Sequence, residues 1–508
     1  MITNFHGKRI IAFFLTIVVL LHFSGASVHA FSENEISKTL HSDELQTIIS
    51  EAMEGDKAPG ASITVTNGTE VLYEQYGFSN IRAKTPVTED TLFELGSTTK
   101  AFTALAMLIL EDEGVLSLED KVSKYVPWFN VNYNGKNVEI TIEQLIHHSS
   151  GLPEKTINRF PEGTSDDLLE KTARLAEGMT LDFYPGADFE YANIGYDLLA
   201  YILETITGQK YEDFVQEKIL RPLGMNNSYY HLDQAKQSDH LAQGYLPFFM
   251  RAAEYDAPRY QGSLADGYLI TCAKDMGRWL NAQLGRGDVP EQLARLIAKS
   301  HMINNEIVAG TFEGKPLYYA YGWIVSKDGT YITHSGANPS FTSNIIILPK
   351  TKLAISVQSN SPGSQTVNIS QAILKSLHHE PLPELSFSHG DIDKISSISM
   401  IIVTVLIIAG AVLLLTMKKR ICAKKRIHFK KERLLFFAKL ILGISSALLL
   451  AIWPNLINYS FYMIRVWMPF TLLIANVLCF ILSILLLVSS IIRFKLVKQI
   501  DAVRESVL

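Results

Sequence analysis

The chain has 508 residues, which is too long for one typical domain, and 47% of them are hydrophobic. Its formal net charge of −5 is uneven: residues 395–508 carry 15 Lys/Arg against 3 Asp/Glu, and the first 30 residues carry two basic residues, which leaves residues 31–394 at −19. Such an acidic segment repels polyanions, which argues against a nucleic-acid partner. It would tolerate a cationic or zwitterionic small molecule. The alternative is that the charge serves solubility alone.

The first 30 residues have the pattern of a secretory signal peptide. Lys8 and Arg9 supply the positive charge, "IIAFFLTIVVLLHF" is the apolar stretch, and "SVHA" places small residues before a cleavage site after Ala30. We therefore expect residues 1–30 to be removed on export. The alternative is an uncleaved signal anchor.

The segment 31–379 begins and ends with predicted strands. Alternating β-branched residues around Asn67-Gly68 predict a hairpin over 62–76, and residues 321–358 are typical of three antiparallel strands with two turns. Apolar periodicity predicts helices between them, each ending at a glycine, at residues 102–114, 195–208 and 274–285. This order predicts an α+β fold, with one sheet built from both ends, flanking helices and a separate helical lobe.

The first predicted helix begins with Ser97-x-x-Lys100, in "FELGSTTKAFTALAM". A spacing of three places both side chains on one helix face, so the amine can reach the hydroxyl. The helix N-terminus favours an oxyanion, and burial would make the amine a usable base. The alternative is that Ser97 simply caps the helix.

Two more motifs follow in the same segment. Tyr191-Ala192-Asn193 offers a phenol that can shuttle protons and an amide that can donate to a carbonyl. His334-Ser335-Gly336 stands at the end of a predicted strand, where glycine permits close approach of a substrate to the strand edge. Each motif alone also fits a structural tyrosine or a histidine before a turn.

Three apolar segments follow a short polar tether at residues 380–394. Each is long enough to span a membrane, and they cover residues 395–417, 434–454 and 467–492. Residues 418–433 hold nine Lys/Arg, whereas the second inter-span loop holds only Arg465. The positive-inside rule therefore places 418–433 and the C-terminus in the cytoplasm of a multi-pass protein of a bacterial cell membrane, with residues 31–379 outside.

The motif order S-x-x-K, Y-x-N, H-x-G, with spacings of about 90 and 140 residues, resembles that of the serine β-lactamase and penicillin-binding protein superfamily. The likeness is to its class C branch, which includes DD-peptidases, esterases and aminopeptidases. "HHSSGLP" at 147–153 and "PLGMNNS" at 222–228 are also similar, and the resemblance covers about residues 42–378. It implies a β-lactamase-like antiparallel sheet with flanking helices and a helical lobe.

The resemblance also implies roles for individual residues. Ser97 would attack a carbonyl, with Lys100 and Tyr191 as base and then acid, and the backbone N–H groups of Ser97 and Ala337 would form the oxyanion hole. His334 would sit where the third motif usually holds a cation. The implied substrate-binding set is Asn193, His334, Gly336, Ala337 and Asn338. No cofactor or metal is expected.

The whole chain resembles one subgroup more narrowly, the prodrug-activating peptidases of the colibactin-maturing type. These combine a signal, such a catalytic domain and three C-terminal membrane helices, and they remove an N-acyl-D-asparagine cap. Asn338 matches an asparagine that contacts the D-Asn side chain in that subgroup. Asn193 and Ile270 depart from it, since the subgroup has serine and histidine at those places.

The sequence therefore predicts a membrane-anchored serine hydrolase that acts through an acyl-enzyme on amide or ester bonds of D-amino-acid-containing or related small molecules or peptides. One alternative is an N-acyl-D-Asn prodrug peptidase, and another is a penicillin-binding sensor or transporter accessory without turnover. Efficient β-lactam hydrolysis is not expected, because no glutamate dedicated to deacylation is evident. Since one helix would suffice as an anchor, three suggest a transporter or envelope partner, or access to a membrane-borne substrate.

Overall fold

Strands from distant parts of the chain meet in one antiparallel sheet. The structure is a computed structural model and describes residues 30–304, 307–312, 314–422, 429–456 and 459–505. Its strands are β1 (Gly60–Thr66), β2 (Val71–Asn80), β3 (Thr85–Pro86), β4 (Phe93–Glu94), β5 (Val131–Tyr133), β6 (Lys136–Val138), β7 (Met179–Thr180), β8 (Tyr245–Phe248), β9 (Arg251–Glu254), β10 (Ile270–Thr271), β11 (Val308–Phe312), β12 (Lys315–Tyr319), β13 (Ile324–Ser326), β14 (Ile332–Asn338), β15 (Phe341–Leu348) and β16 (Leu353–Ser359). Nine of them form the main sheet, in the order β11–β12–β13–β14–β15–β16–β1–β2–β3.

Helices that begin before His389 cover both faces of this sheet and form a further lobe, and more helices follow in the described part of the chain. They are α1 (Glu33–Leu40), α2 (Asp43–Gly55), α3 (Lys100–Asp112), α4 (Val122–Tyr125), α5 (Ile142–Ile146), α6 (Leu168–Ala173), α7 (Asn193–Thr207), α8 (Tyr211–Val215), α9 (Leu232–Gln237), α10 (Leu264–Gly267), α11 (Ala273–Gln283), α12 (Glu291–Ser300), α13 (Gln365–Leu377), α14 (His389–Cys422), α15 (Phe429–Leu456), α16 (Phe461–Trp467) and α17 (Phe470–Glu505). The described residues form two compact units, one running up to Gly390 and the other from Asp391 onward together with Phe248–Arg251.

Two apolar cores hold the first unit together. On one face of the sheet, α13 packs against β15 and β16, and α1 and α2 pack against α13. On the other face, α11 packs against β1 and β16, and a larger core extends from it through α3, α7 and α12. The strands β15 and β16 are buried along their whole length. Both faces of these strands are therefore covered by protein, and buried polar residues such as Asn344 and Gln358 interrupt their apolar runs.

The predicted hairpin at 62–76 is confirmed as β1 and β2. Its loop has four residues, because Asn67 Oδ1 accepts hydrogen bonds from the backbone N–H groups of Thr69 and Glu70 and so closes an Asx turn. Gly68 takes the positive φ of 86° that this turn needs.

The prediction of three strands within 321–358 was wrong, since the structure has four. The missed turn lies between β14 and β15, where Asn338 pairs with Phe341 and only Pro339 and Ser340 intervene. Proline has no N–H to continue a ladder, so the chain reverses there. The motif His334-Ser335-Gly336 consequently lies inside β14 rather than at a strand end.

The three predicted helices are confirmed as α3, α7 and α11. Gly208 caps α7 in the left-handed conformation, with φ 68°. Gly114 and Gly285 adopt the same conformation just beyond the other two helices, with φ 71° and 68°. Glycine is the residue that enters this region without a Cβ clash, which explains why these boundaries are readable from the sequence.

The second unit contains three helices that are long and apolar enough to cross a membrane. The qualifying stretches are His389–Met417, Phe436–Pro454 and Phe470–Ile500. The third predicted span started at Trp467, but that residue ends the short helix α16, and Pro469 separates it from α17. The predicted signal peptide, except for Ala30, lies outside the described residues, as do residues 423–428 of the basic loop.

Candidate active site

Ser97 lies in a tight turn that leads directly into α3. Residues 96–99 form a 3-10 turn, and Lys100 is the first residue of the α-helix. The Ser97 side chain is half-buried, and its Oγ lies 3.2 Å from Lys100 Nζ. Thr99 holds the N-cap position of α3, so the alternative of Ser97 as a helix cap does not describe this site.

Lys100 is fully buried, and its amine is held by three oxygen atoms. Besides Ser97 Oγ, Nζ donates to Asn193 Oδ1 at 2.9 Å and to the backbone carbonyl of Asp266 in α10 at 2.7 Å. The last two are carbonyl oxygens, which can only accept. They therefore occupy two hydrogens of the amine in either protonation state and fix the direction of its third position toward Ser97.

Tyr191 stands beside this amine, just before α7. Lys100 Nζ lies 4.9 Å from the centre of its ring. The Tyr191 Oη is buried and has no hydrogen-bond partner among the described residues. A buried hydroxyl without a partner costs free energy, so this phenol is suited to bind or protonate a group that a substrate brings in.

The strand β14 passes unusually close to the Ser97 turn, because glycine occupies both sides of the contact. A Cβ on Gly336 would lie 1.9 Å from the Leu95 carbonyl oxygen, and a Cβ on Gly96 would lie 2.4 Å from Ala337 N. Gly96 also has a φ of 59°. The backbone N of Ala337 is thus brought beside the turn that carries Ser97, which is the placement an oxyanion hole requires.

One edge of β14 is open beside this contact. β13 pairs with β14 only at Thr333 and Ile332, so residues 334–338 have no strand partner on that side in the described part of the sheet. The side chains of Ser335 and Ala337 are exposed there. An open strand edge of this kind can bind an extended substrate through backbone hydrogen bonds.

His334 is a neutral imidazole with both ring nitrogens engaged. Its Nδ1 lies 2.8 Å from the Ser335 carbonyl oxygen and must donate to it, so Nε2 accepts from the Tyr319 hydroxyl at 3.0 Å. Burial, assisted by the charge of Lys100, lowers the pKa of His334 to about 3. His334 therefore supplies no positive charge at neutral pH.

Asn338 lies deeper in the same strand, and both hydrogens of its amide are engaged. Nδ2 donates to Glu94 Oε2 at 2.6 Å and to the Gly267 carbonyl at 2.9 Å. Glu94 is in turn bound by the Arg259 guanidinium at 2.7 Å. This network leaves Asn338 Oδ1, an acceptor, as the atom that can face a substrate.

Two buried carboxyl groups lie near Lys100 without serving as its hydrogen-bond acceptors. Burial raises the pKa of Asp197 and of Asp266, and the charge of Lys100 opposes the shift in both. Asp197 Oδ1 has no partner in the described chain. Burial therefore disfavours the negative charge at both carboxyls.

Sequence reasoning named Ser97, Asn193 and Tyr191 beside Lys100 Nζ, but it missed Tyr196, whose ring centre lies 5.5 Å from Nζ, and the groups behind them. Tyr319, which fixes His334, belongs to no motif, and Asp266 acts through a backbone carbonyl that no side-chain pattern reveals. His148 lies against Tyr191, and "HHSSGLP" was a usable signal for it. No cluster of three or more His, Cys, Asp or Glu side chains suited to a metal ion occurs within the residues that the structure covers.

Comparisons with known proteins place these motifs in a family. The model of the family described as Beta-lactamase matches residues 45–379. Protein flp of Staphylococcus aureus (strain MW2) is 34% identical over 321 residues, which cover 62% of this chain and 62% of that protein. Penicillin-binding protein 4* of Bacillus subtilis (strain 168) is 29% identical over 356 residues, which cover 66% of this chain and 75% of that protein. The chain thus spans about 62% of the length of the flp proteins it matches.

Solved structures agree with this placement. The octameric penicillin-binding protein homologue from Pyrococcus abyssi matches with a TM-score of 0.59 and 31% identity, covering 70% of this chain and 80% of that one. A class C β-lactamase matches with a TM-score of 0.56 over 69% of this chain and 99% of that one. At 22% identity, the second likeness concerns the fold alone.

Proposed function

This chain belongs to the serine β-lactamase and penicillin-binding protein superfamily, and on that premise we propose that it is a serine hydrolase acting through an acyl-enzyme on Ser97. Its substrates are amides or esters of small D-amino-acid-containing or related molecules. The observation that carries the proposal is the three-point hydrogen bonding of Lys100, which aims the amine at the Ser97 hydroxyl.

Acylation follows from that arrangement. In the neutral amine, two N–H bonds are taken by Asn193 Oδ1 and the Asp266 carbonyl, so the lone pair faces Ser97 Oγ. Lys100 removes the Ser97 proton as Oγ bonds to the substrate carbonyl carbon, and the carbonyl oxygen becomes an oxyanion. The N–H groups of Ser97 and Ala337 stabilise that oxyanion, each donor contributing about 3 kcal/mol.

The leaving group then departs with a proton from Tyr191. As the amide carbon–nitrogen bond or the ester carbon–oxygen bond breaks, the phenol protonates the leaving atom. Lys100 then gives the phenol the proton that it took from Ser97. In deacylation a water molecule gives one proton to the same pair and its hydroxide to the acyl carbon, and Ser97 regains its proton as the acid is released. General acid–base help of this kind contributes about 10²- to 10⁴-fold.

The neutral third motif sets the substrate class. Because His334 carries no charge and both its nitrogens are engaged, the third motif supplies no cation for a carboxylate next to the scissile bond. We therefore expect internal amides, amide-capped peptides and esters to be preferred over peptides that end in a free D-amino acid. The net negative charge of residues 31–394 also disfavours anionic substrates, which reinforces this preference.

A second candidate function is removal of an N-acyl-D-asparagine cap. The observation in its favour is the state of Asn338, whose amide hydrogens are both engaged. The acceptor that remains, Oδ1, would take a hydrogen bond from the side-chain amide N–H of a D-Asn residue. If this is the function, kcat/KM should be higher for substrates with D-Asn at the acyl side than for those with D-Ala or D-Asp, since neither of these two side chains can donate a hydrogen bond from that position.

The test uses the purified full-length protein in detergent. We would measure kcat/KM for a fluorogenic ester, an N-acyl-D-asparaginyl anilide, a peptide ending in D-Ala-D-Ala and the same peptide with an amidated end, each with Ser97→Ala as control. Turnover of the uncharged substrates that disappears in Ser97→Ala supports the proposal. Turnover that survives in Ser97→Ala refutes it, and stoichiometric labelling by a fluorescent penicillin without any turnover supports a sensor instead.

We further propose that the hydrolase is anchored in a bacterial membrane with its active site outside the cell. The support is the three apolar helices and the basic loop at 418–433. Cysteines introduced singly into a Cys-free chain, at Ser123 and at Lys425, test the orientation with a membrane-impermeant thiol reagent on intact cells. Labelling at position 123 alone is expected, and the reverse pattern would refute the orientation.

The role of the three helices can be tested with one exchange. If they bind a transporter or another envelope partner, or give access to a membrane-borne substrate, replacing residues 395–508 with a single unrelated span will abolish function in cells. Hydrolysis of soluble esters by the purified protein is expected to persist. Full cellular function after the exchange would show that the helices are a simple anchor.

A further inference from the structure

A buried histidine outside the three motifs lies directly against Tyr191. The centres of the rings of His148 and Tyr191 are 4.2 Å apart, and the planes are tilted by 40°. His148 is 1% exposed and has a φ of 53°, a conformation in which a non-glycine residue is uncommon. A residue held in this way at a functional site merits a functional explanation.

His148 also binds the backbone on both sides of Tyr191. Its Nδ1 accepts a hydrogen bond from the Ala192 N–H at 3.2 Å, and its carbonyl oxygen accepts one from the Glu190 N–H at 2.9 Å. His148 thus contacts the residue before Tyr191, the residue after it and the Tyr191 ring, through its side chain and its backbone carbonyl.

The hydrogen bond to Ala192 also sets the tautomer. Since a backbone N–H can only donate, Nδ1 must be the unprotonated nitrogen, and the proton of the neutral ring lies on Nε2. Nε2 is buried with no partner in the described part of the chain. Burial, with Lys100 as the next cause, lowers the pKa of His148 well below its usual value, so the ring adds no charge beside Tyr191.

The neighbouring His147 is built differently and provides a natural comparison. It is equally buried, but its Nδ1 donates to the Tyr319 carbonyl at 2.8 Å and its ring contacts Tyr321 rather than Tyr191. The two adjacent imidazoles therefore hold opposite tautomers, and only His148 touches the segment that carries the phenol.

We propose that His148 is the positioning residue of Tyr191, holding the phenol in the orientation from which it protonates the leaving group. This role rests on the proposed hydrolase function. It acts through Tyr191 and not on the substrate itself. Its consequence depends on the leaving group, because an amine must be protonated to depart from an amide, whereas 4-nitrophenolate leaves an ester without a proton.

The experiment compares a 4-nitroanilide and a 4-nitrophenyl ester of the same acyl group on the full-length protein. His148→Phe keeps a ring but loses the acceptor for Ala192. We expect kcat/KM, which reports acylation alone, to fall about 10²-fold for the anilide and less than about threefold for the ester. His148→Asn keeps an acceptor near Nδ1 and tolerates positive φ, so it should restore anilide turnover to within about tenfold of wild type. The control His147→Asn should change both substrates by the same small factor.

Other outcomes overturn the inference. If His148→Phe lowers turnover of both substrates equally, in proportion to its folded fraction measured by circular dichroism, His148 is structural, and the hydrolase function stands. Unchanged anilide turnover in a folded His148→Phe, or no rescue by a folded His148→Asn, also refutes the role. A wild-type protein that turns over neither substrate overturns the hydrolase proposal together with this one.

Discussion

Gly336→Ala is expected to damage the oxyanion hole more than it damages the fold. The added Cβ would lie 1.9 Å from the Leu95 carbonyl oxygen and 2.6 Å from Ser343 Oγ. That carbonyl cannot turn away freely, because Ser343 Oγ and Thr98 Oγ1 both donate to it, at 2.5 and 3.0 Å. Since a Cβ essentially never approaches another heavy atom within 3.0 Å, β14 and the Ser97 turn must separate by about 1 Å.

A displacement of about 1 Å at a catalytic centre costs about 10²-fold in rate, and loss of one oxyanion-hole donor costs about 10²- to 10³-fold. Overpacking costs roughly 1–3 kcal/mol of stability. We therefore expect kcat of Gly336→Ala to fall about 10²-fold for ester and anilide alike, with a folded protein remaining. Both substrates should suffer because both develop the same oxyanion.

The matched control is Gly310→Ala in β11. Gly310 is a strand glycine of the same sheet, and a Cβ there would meet no atom within 4 Å. The assay is kcat for both substrates, with the thermal midpoint and the folded fraction of each variant measured by circular dichroism. Gly336→Ala with the activity of Gly310→Ala would refute the reasoning, because the close approach would then have no catalytic role.

Three further predictions follow from the described contacts. Lys100→Met should slow penicillin labelling of Ser97 about 10³-fold in a folded protein, and labelling at the wild-type rate would exclude the amine as the base. Burial lowers the pKa of His147 to about 4, whereas an unfolded histidine titrates near 6.5, so the unfolded chain binds the extra proton between these values. Stability from this group is therefore lost as the pH falls from about 6.5 toward 4. Over that range, the free energy of unfolding measured with urea should fall by up to about 3 kcal/mol more for wild type than for His147→Asn. The same pH dependence in both proteins would contradict this. Glu94→Gln breaks a nearly buried pair with Arg259 and should lower the free energy of unfolding by about 3 kcal/mol, against less than about 1 for the exposed Glu177→Gln; equal losses would refute the argument.

Much of the fold was readable because local chemistry and tertiary structure agree in its central elements. Asn67-Gly68 forms the predicted turn, and Gly208 ends α7 where the helical periodicity stops. The strands β11 and β12 were not predicted, since they lie at the sheet edge and β11 is mostly exposed, so no apolar alternation marks them. The turn at Pro339 was missed because buried residues continue on both sides of it.

The part of the site that could be predicted from the sequence consists of side chains that act through their own functional groups. Ser97, Lys100 and Asn193, which the motifs and the family resemblance singled out, are joined by hydrogen bonds. The sequence posed the question whether His334 is charged but did not answer it, because the answer depends on burial and on a tyrosine hydroxyl from another strand. Contacts made by backbone atoms, such as the carbonyl of Asp266, leave no trace in residue identity.

The electrostatics of the site explain why an amine and a phenol carry the proton transfers. Burial keeps the imidazoles of His148 and His334 neutral. Neither imidazole can therefore accept the Ser97 proton near pH 7, although both lie close to the site. Lys100 can accept it, because three oxygen atoms are ready to hold the ammonium that results. Tyr191, whose hydroxyl has no partner among the described residues, then remains as the group that can carry that proton to the leaving atom.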